Sequence, residues 1–205
     1  MNWPAAGEEP PVRTTILDNT TAAKSAAQRW AREKEAIVGD GVWMWWTDGS
    51  RSDDGRVGAA AVCIHGNEWR SRRSFLGTGR MEFFDAELLA NGLALDVVIE
   101  KRETLRKHAV TTVAVFIDSE ASIGRAAHLE PGPGQRLARR INRDARSLFG
   151  HGIATEFHWV PGHSGIPGNE EADRQANLAR DANGSKVIER SYTSASIRGR
   201  RMSEV

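Results

Sequence analysis

Trp45-Trp46-Thr47-Asp48-Gly49-Ser50 is the stretch on which the reading of this chain turns. Residues 42–46 form an apolar run that predicts a strand, and the run leads into a carboxylate followed by Gly-Ser, a turn signal. A buried strand that carries an Asp to its carboxyl end places charge where charge is expensive. That arrangement suits an Asp that holds a cation or a substrate group. Taken alone, Thr-Asp-Gly also reads as an ordinary turn, because Asp and Gly are common turn residues. The two readings separate only if other carboxylates arrive at similar places.

Beyond this stretch, 57–64 is small and apolar and predicts a buried strand. His65-Gly66-Asn67 predicts a hairpin turn, and 68–76 returns with the alternation Trp69, Ser71, Arg73, Phe75. The period then changes. Ala86, Leu89, Ala90, Leu93, Ala94, Val97 and Val98 fall at helical spacing and predict a helix over 84–100. The β-branched run 111–117 predicts a strand ending at Asp118, and Ser119 is a cap for a helix over 120–127. Pro131-Gly132-Pro133-Gly134 is a break. A helix over 135–149, a strand over 153–160, a loop over 161–168 and a helix over 169–182 follow. The order is β-β-β-α-β-α-α-β-α, an α/β chain with a five-stranded mixed sheet and helices on both faces. In such sheets sites form at the carboxyl ends of parallel strands, where Asp48 and Asp118 both fall.

The chain has 205 residues, 40% of them apolar, which predicts one domain with tails. Residues 1–40 read as a linker or appended helix, with weak apolar spacing over 21–36. Residues 41–182 are the domain, and 183–205 a polar, Arg-bearing tail. The formal net charge is +1, so bulk charge announces no nucleic-acid partner, but 23 of the 28 basic residues are Arg, whose planar fork suits phosphate. Cys63 is the only cysteine, which excludes an intrachain disulfide or a cysteine-built zinc site. With no membrane-length apolar run and no leader pattern, the expectation is an intracellular protein with no membrane partner, nucleus or cytoplasm left open.

Two further carboxylates can reach the strand ends. Glu87 lies near the start of the first long helix, and Asp173 in the first turns of the last. Either alone reads equally as a solvated helix residue. Clustered carboxylates repel unless cations neutralise them. All-oxygen ligands favour magnesium or manganese, and two such ions suit phosphodiester hydrolysis. Arg136, Arg139, Arg140, Arg143 and Arg146 form a stripe on the helix over 135–149, which reads as a solvated face or as a phosphate track. Trp43, Trp45, Trp46 and Trp69 are expected to pack the sheet.

The segments Thr47-Asp48-Gly49-Ser50, Asp85-Ala86-Glu87-Leu88, Ile117-Asp118-Ser119 and the run from Trp159 through Pro161-Gly162-His163-Ser164-Gly165 and Gly168-Asn169-Glu170-Glu171-Ala172 to Asp173 resemble, in order and spacing, type 1 ribonuclease H. Pro131-Gly132-Pro133-Gly134-Gln135 ahead of an Arg-rich helix looks like the ribonuclease H domain of fungal non-LTR (LINE-type) retrotransposon polyproteins. The resemblance covers roughly residues 42–182. It implies a βββαβαβα fold and a two-magnesium site of Asp48, Glu87, Asp118 and Asp173, with manganese as the other candidate ion. It implies cleavage of the RNA strand of RNA–DNA hybrids, with His163 assisting proton transfer or product release. Gly49, Ser50, Ser119, Glu120, Asn169 and the Arg136, Arg139, Arg140 and Arg143 stripe would contact substrate. A monomer is expected, with a reverse transcriptase module of a parent polyprotein as a possible neighbour.

Three positions depart from the pattern. Phe83-Phe84 stand where bacterial members carry an Asn pair, and Glu120 stands where Gln is usual. The competing readings are a silent hybrid-binding or spacer domain of an inactive element, and a DNA nuclease or integrase-like enzyme on the same fold.

Overall fold

The computed structural model of the chain describes residues 12–15, 41–65, 68–78, 83–129 and 132–182, together with positions 25 and 29. The helix expected over 21–36, the turn residues Gly66-Asn67 and the tail 183–205 lie outside the described residues, apart from those two positions. The elements are β1 (Arg13–Thr15), β2 (Val42–Arg51), β3 (Arg56–His65), β4 (Glu68–Thr78), α1 (Phe83–Lys107), β5 (Thr112–Ile117), α2 (Glu120–Ala127), α3 (Gln135–Phe149), β6 (Ala154–Trp159) and α4 (Pro167–Asp181).

The strands form one mixed sheet in the order β1-β6-β5-β2-β3-β4. β2, β3 and β4 pair antiparallel, while β2–β5, β5–β6 and β6–β1 pair parallel. The sheet therefore has six strands, one more than the five read from the sequence. The addition is β1, whose Arg13 pairs with Glu156 of β6 and whose neighbour Val12 is buried in the core. Three exposed residues carry no readable period, so pattern alone could not find it.

A second correction concerns Gly49 and Ser50. They do not form the turn after β2. They remain in the ladder with β3, where Gly49 faces Ala59 and Ser50 faces Gly58, and the chain turns later, at Ser52–Gly55. α4 also starts earlier than expected, with Pro167 in its first turn, where a missing N–H is harmless.

Side chains alternate across the sheet. Trp45, Val115 and Phe157 face a core shared with Leu88 and Leu93 of α1, Ile123 of α2 and Ile141 of α3. Met44, Trp46 and Phe116 face the opposite way, onto Ala172 of α4, with Trp46 stacked on Phe116 at 5.3 Å. Helices thus cover both faces. Trp43 and Trp69 complete the aromatic packing edge-on to Trp45 and Trp46.

Candidate active site

The parallel ladder between β2 and β5 ends at the pair Thr47 and Ile117. The next residue on each strand is an Asp, so Asp48 and Asp118 emerge side by side. Glu87 reaches them because α1 presses its first turns onto β2. A Cβ at position 49 would meet Glu87 N at 2.7 Å and Ala86 Cβ at 2.8 Å, so only glycine permits the approach. Gly49 N in turn donates to Glu87 Oε1 at 3.3 Å. One ligand atom from each of Asp48, Glu87 and Asp118 lies within 4.8 Å of the other two. Asp173, on α4, stands outside that tight group, half-buried, with its Oδ1 accepting from Asn177 Nδ2 at 3.0 Å. It is still close enough for its charge to act on Asp48 and Asp118.

Burial and mutual repulsion dominate the electrostatics. Burial, then the charges of Asp118 and Asp173, pushes Asp48 from its ordinary 3.8 up to about 8. Burial, then Asp48 and Asp118, pushes Glu87 well up. Asp118 is raised by burial too, against a hydrogen bond from Asn169 and the charge of His163, which pull it down.

Asp118 is held from three directions. Asn169 Nδ2 donates to its Oδ2 at 3.3 Å, and Trp159 Nε1 donates to its carbonyl at 3.2 Å. The loop after β6 lays Gly162 against it, where an added Cβ would sit 2.9 Å from Oδ2. His163 follows, exposed, at φ 47°.

The remaining candidates divide. Ser119 caps α2, its Oγ accepting from Ser122 N at 3.3 Å. Glu120 is exposed at the first position of α2, where the helix dipole favours an acid. Asn169 is buried against Asp118, with its Oδ1 lacking a hydrogen-bond partner among the described residues. Ser50 is also buried and bonded into α4, to Asn177 and Arg180. On α3, Arg136, Arg139, Arg143 and Arg146 are exposed. Arg140 is not part of an open stripe: its Nη2 bonds Asp96 of α1 at 2.5 Å and its Nε lies 3.5 Å from Asp144. His158 is a packed strand residue bonded to Glu156.

A buried polar chain escaped sequence reasoning. Thr47 Oγ1 donates to Asn91 Oδ1 at 2.6 Å, and Asn91 Nδ2 donates to Ser122 Oγ at 3.3 Å. It ties together β2, α1 and α2, the elements that place Asp48, Glu87 and the residue after Asp118. The available signal was one amide among apolar neighbours, one helical turn beyond Glu87.

A sequence model of the RNase H family matches residues 40–181, a span that holds every element from β2 to α4. The chain is 33% identical over 117 residues to ribonuclease H of Acidovorax sp. (strain JS42), covering 49% of this chain and 76% of that protein. It is 34% identical over 105 residues to ribonuclease H of Verminephrobacter eiseniae (strain EF01-2), covering 44% of this chain and 64% of that protein. Among solved structures, the N-terminal RNase H domain of a Mycobacterium tuberculosis protein, solved as a fusion with maltose-binding protein, superposes with a TM-score of 0.50 at 21% identity. That superposition covers 68% of this chain and 94% of the other, a likeness of fold. Given a family match over most of its length, on a fold that gathers three carboxylates where two parallel strands end, the chain belongs to the ribonuclease H family.

Proposed function

We propose that the chain is a metal-dependent endonuclease that hydrolyses the RNA strand of RNA–DNA hybrids, leaving a 3′ hydroxyl, with Asp48, Glu87, Asp118 and Asp173 as its metal ligands. The observation that carries this is the convergence of Asp48, Glu87 and Asp118.

The donor set fits a divalent cation. It is all oxygen, which suits magnesium or manganese. Glu87 Oε2 is buried with no hydrogen-bond partner among the described residues, and burial, then the charges of Asp118 and Asp173, push Asp48 up to about 8, a strain that a bound cation would relieve. Two bound ions would supply an activated water and stabilise the leaving oxygen. The chain's own residues do the rest. Asn169 and Trp159 orient Asp118, Gly49 lets Glu87 close on Asp48, and His163, exposed beside Gly162, would assist proton transfer or product release.

Hybrid selectivity would come from groove shape and 2′-hydroxyl contacts. A cavity of about 350 Å³ lined by Phe84, Ala121, Gly124, Arg125 and His128 opens between α1 and α2, and offers aromatic and basic contacts where Phe83-Phe84 replace amides. The exposed Arg residues of α3 add a phosphate track. No helix among the described residues is long and apolar enough to cross a membrane. The Pro-Gly-Pro-Gly-Gln segment ahead of an Arg-rich helix supports an origin in a retroelement polyprotein with a reverse transcriptase module, and the protein is read as an intracellular monomer.

The test is incubation of the full chain with end-labelled RNA–DNA hybrid, double-stranded RNA and double-stranded DNA, with magnesium, with manganese and with chelator. Cleavage of the hybrid's RNA strand alone, only with metal, is the expected result. Hybrid binding without cleavage in either metal would leave a silent binding domain, and cleavage of duplex DNA would make it a DNA nuclease.

A further inference from the structure

Asp173 is the one carboxylate of the four that lies outside the tight group, and a line of hydrogen bonds runs from it back to β2. Asn177 Nδ2 donates to Asp173 Oδ1 at 3.0 Å. Ser50 Oγ donates to Asn177 Oδ1 at 2.7 Å. Arg180 Nη1 donates to Ser50 Oγ at 3.0 Å, and the guanidinium is itself fixed by two 3.0 Å bonds to Asp181. Each donor in the series points the same way, from a cation at one end to a carboxylate at the other, so each bond polarises the next. The amide of Asn177 can face only one way, because Asp173 accepts and Ser50 donates. Residues 173, 177 and 180 share one face of α4 at i, i+4 and i+7, and Ser50 stands two residues beyond Asp48 on β2.

We infer that Asn177, anchored to β2 through Ser50 and braced by Arg180, is a positioning residue that sets the Asp173 carboxylate against the Asp48, Glu87 and Asp118 group. The relay registers α4 on the strand that carries Asp48, so the fourth ligand is placed by side-chain bonding as well as by helix packing. This rests on the reading of the four carboxylates as cation ligands. It gives Ser50 a different task from substrate contact, since its hydroxyl is buried and bonded on both sides.

The test uses the full chain as wild type, Asn177→Leu, Ser50→Ala and the double variant. Manganese affinity is measured by titration calorimetry, hybrid cleavage by single-turnover and steady-state kinetics, and folding by thermal melting. Asn177→Leu and Ser50→Ala should each weaken manganese binding roughly tenfold, as loss of an outer-shell partner does. Each should slow the single-turnover rate comparably, with KM within about twofold and melting near wild type. The double variant should be no worse than Asn177→Leu, because both residues act through one line. Ser50→Ala removes only a hydroxyl, so it carries the test even if Asn177→Leu folds poorly. Unchanged manganese affinity in Ser50→Ala, or a raised KM without loss of affinity, overturns the relay. Multiplying losses in the double variant do the same. Loss of manganese affinity in these variants, with a wild-type chain that binds manganese yet cleaves no hybrid, overturns the hydrolytic reading and leaves the relay standing. A wild-type chain that binds no manganese overturns both.

Discussion

His163 occupies the left-handed region at φ 47°, where a non-glycine residue carries strain of about 1 kcal/mol or more. Its neighbour Gly162 lies against Asp118, so the strained residue sits at the carboxylate cluster. His163→Ala should slow turnover roughly 10²-fold without abolishing it, as expected for an assisting proton-transfer group, and hybrid affinity should barely change. Single-turnover rates and hybrid Kd measured together check this; collapse of affinity with the chemical step intact would make His163 a substrate contact. Asp118 should answer differently. Asp118→Asn is nearly isosteric and removes one charge from a site where burial already opposes ionisation. Cleavage should fall by at least ~3 kcal/mol of transition-state stabilisation. The metal-free variant should melt no lower than wild type. Turnover within tenfold of wild type would remove Asp118 from the site.

At the level of elements, the Arg residues of α3 divide into exposed ones and one bonded to a neighbouring helix. Arg139 and Arg143 are exposed, though Arg143 also touches Asp144, whereas Arg140 bonds α3 to α1 through Asp96. Asp96 is raised by burial even with that partner beside it. Arg140→Gln should therefore destabilise the fold by about 1–3 kcal/mol, read by urea unfolding, because it strands a half-buried carboxylate. Replacing Arg136, Arg139 and Arg143 with Gln should leave stability nearly untouched, weaken hybrid binding and flatten its salt dependence. An unchanged salt slope would return those residues to a solvated face. From sequence the five Arg residues were indistinguishable, because the partner that sets Arg140 apart lies 44 positions away. The same limit explains what else could be read. The gathering of Asp48 and Asp118 was legible because each follows an apolar run, and that of Glu87 through motif spacing, whereas Asp173 stands outside the tight group. Thr47, Asn91 and Ser122, or Ser50 and Asn177, were not, since their bonds depend on how closely α1 and α4 approach the sheet. Gly49 was misread for that reason: its smallness serves a helix contact, and a turn needs the same residue type.

Over the whole molecule, the buried acids and the surface acids titrate in separate windows. Asp48 is raised from 3.8 to about 8, and Glu87 is raised as well. Between those limits the folded state holds protons that the unfolded state has released, so unfolding free energy falls as pH rises through the window. Acids lowered by hydrogen-bonding partners, such as Asp54 and Asp181, act oppositely and only as pH drops below about 4. In chelator, the protein should be more stable at pH 5 than at pH 8, and magnesium should raise the melting temperature more at pH 8. A metal-free stability that stays flat or rises from pH 5 to pH 8 would contradict this. A further expectation concerns β1. Val12 is buried in the main core, and 13–15 cover the open edge of β6. A chain starting at residue 40 should lose about 2 kcal/mol or more from Val12 burial alone and gain a tendency to associate through that edge, read by unfolding and light scattering. Equal stability and a clean monomer would show that β1 contributes nothing.

The end of the β2–β5 ladder at Thr47 and Ile117 also makes the sheet a ruler for its own assembly. Side chains alternate faces along a strand, so a slip of β2 by one residue would carry Asp48 to the opposite side and bring Gly49, which has no ligand to offer, to its place. If the carboxylates hold a cation as proposed, tight cation binding requires the native strand register. On the proposed metal site, refolded wild-type material that binds manganese as tightly as the native protein has its central strands aligned, and a manganese titration would count its correctly folded molecules.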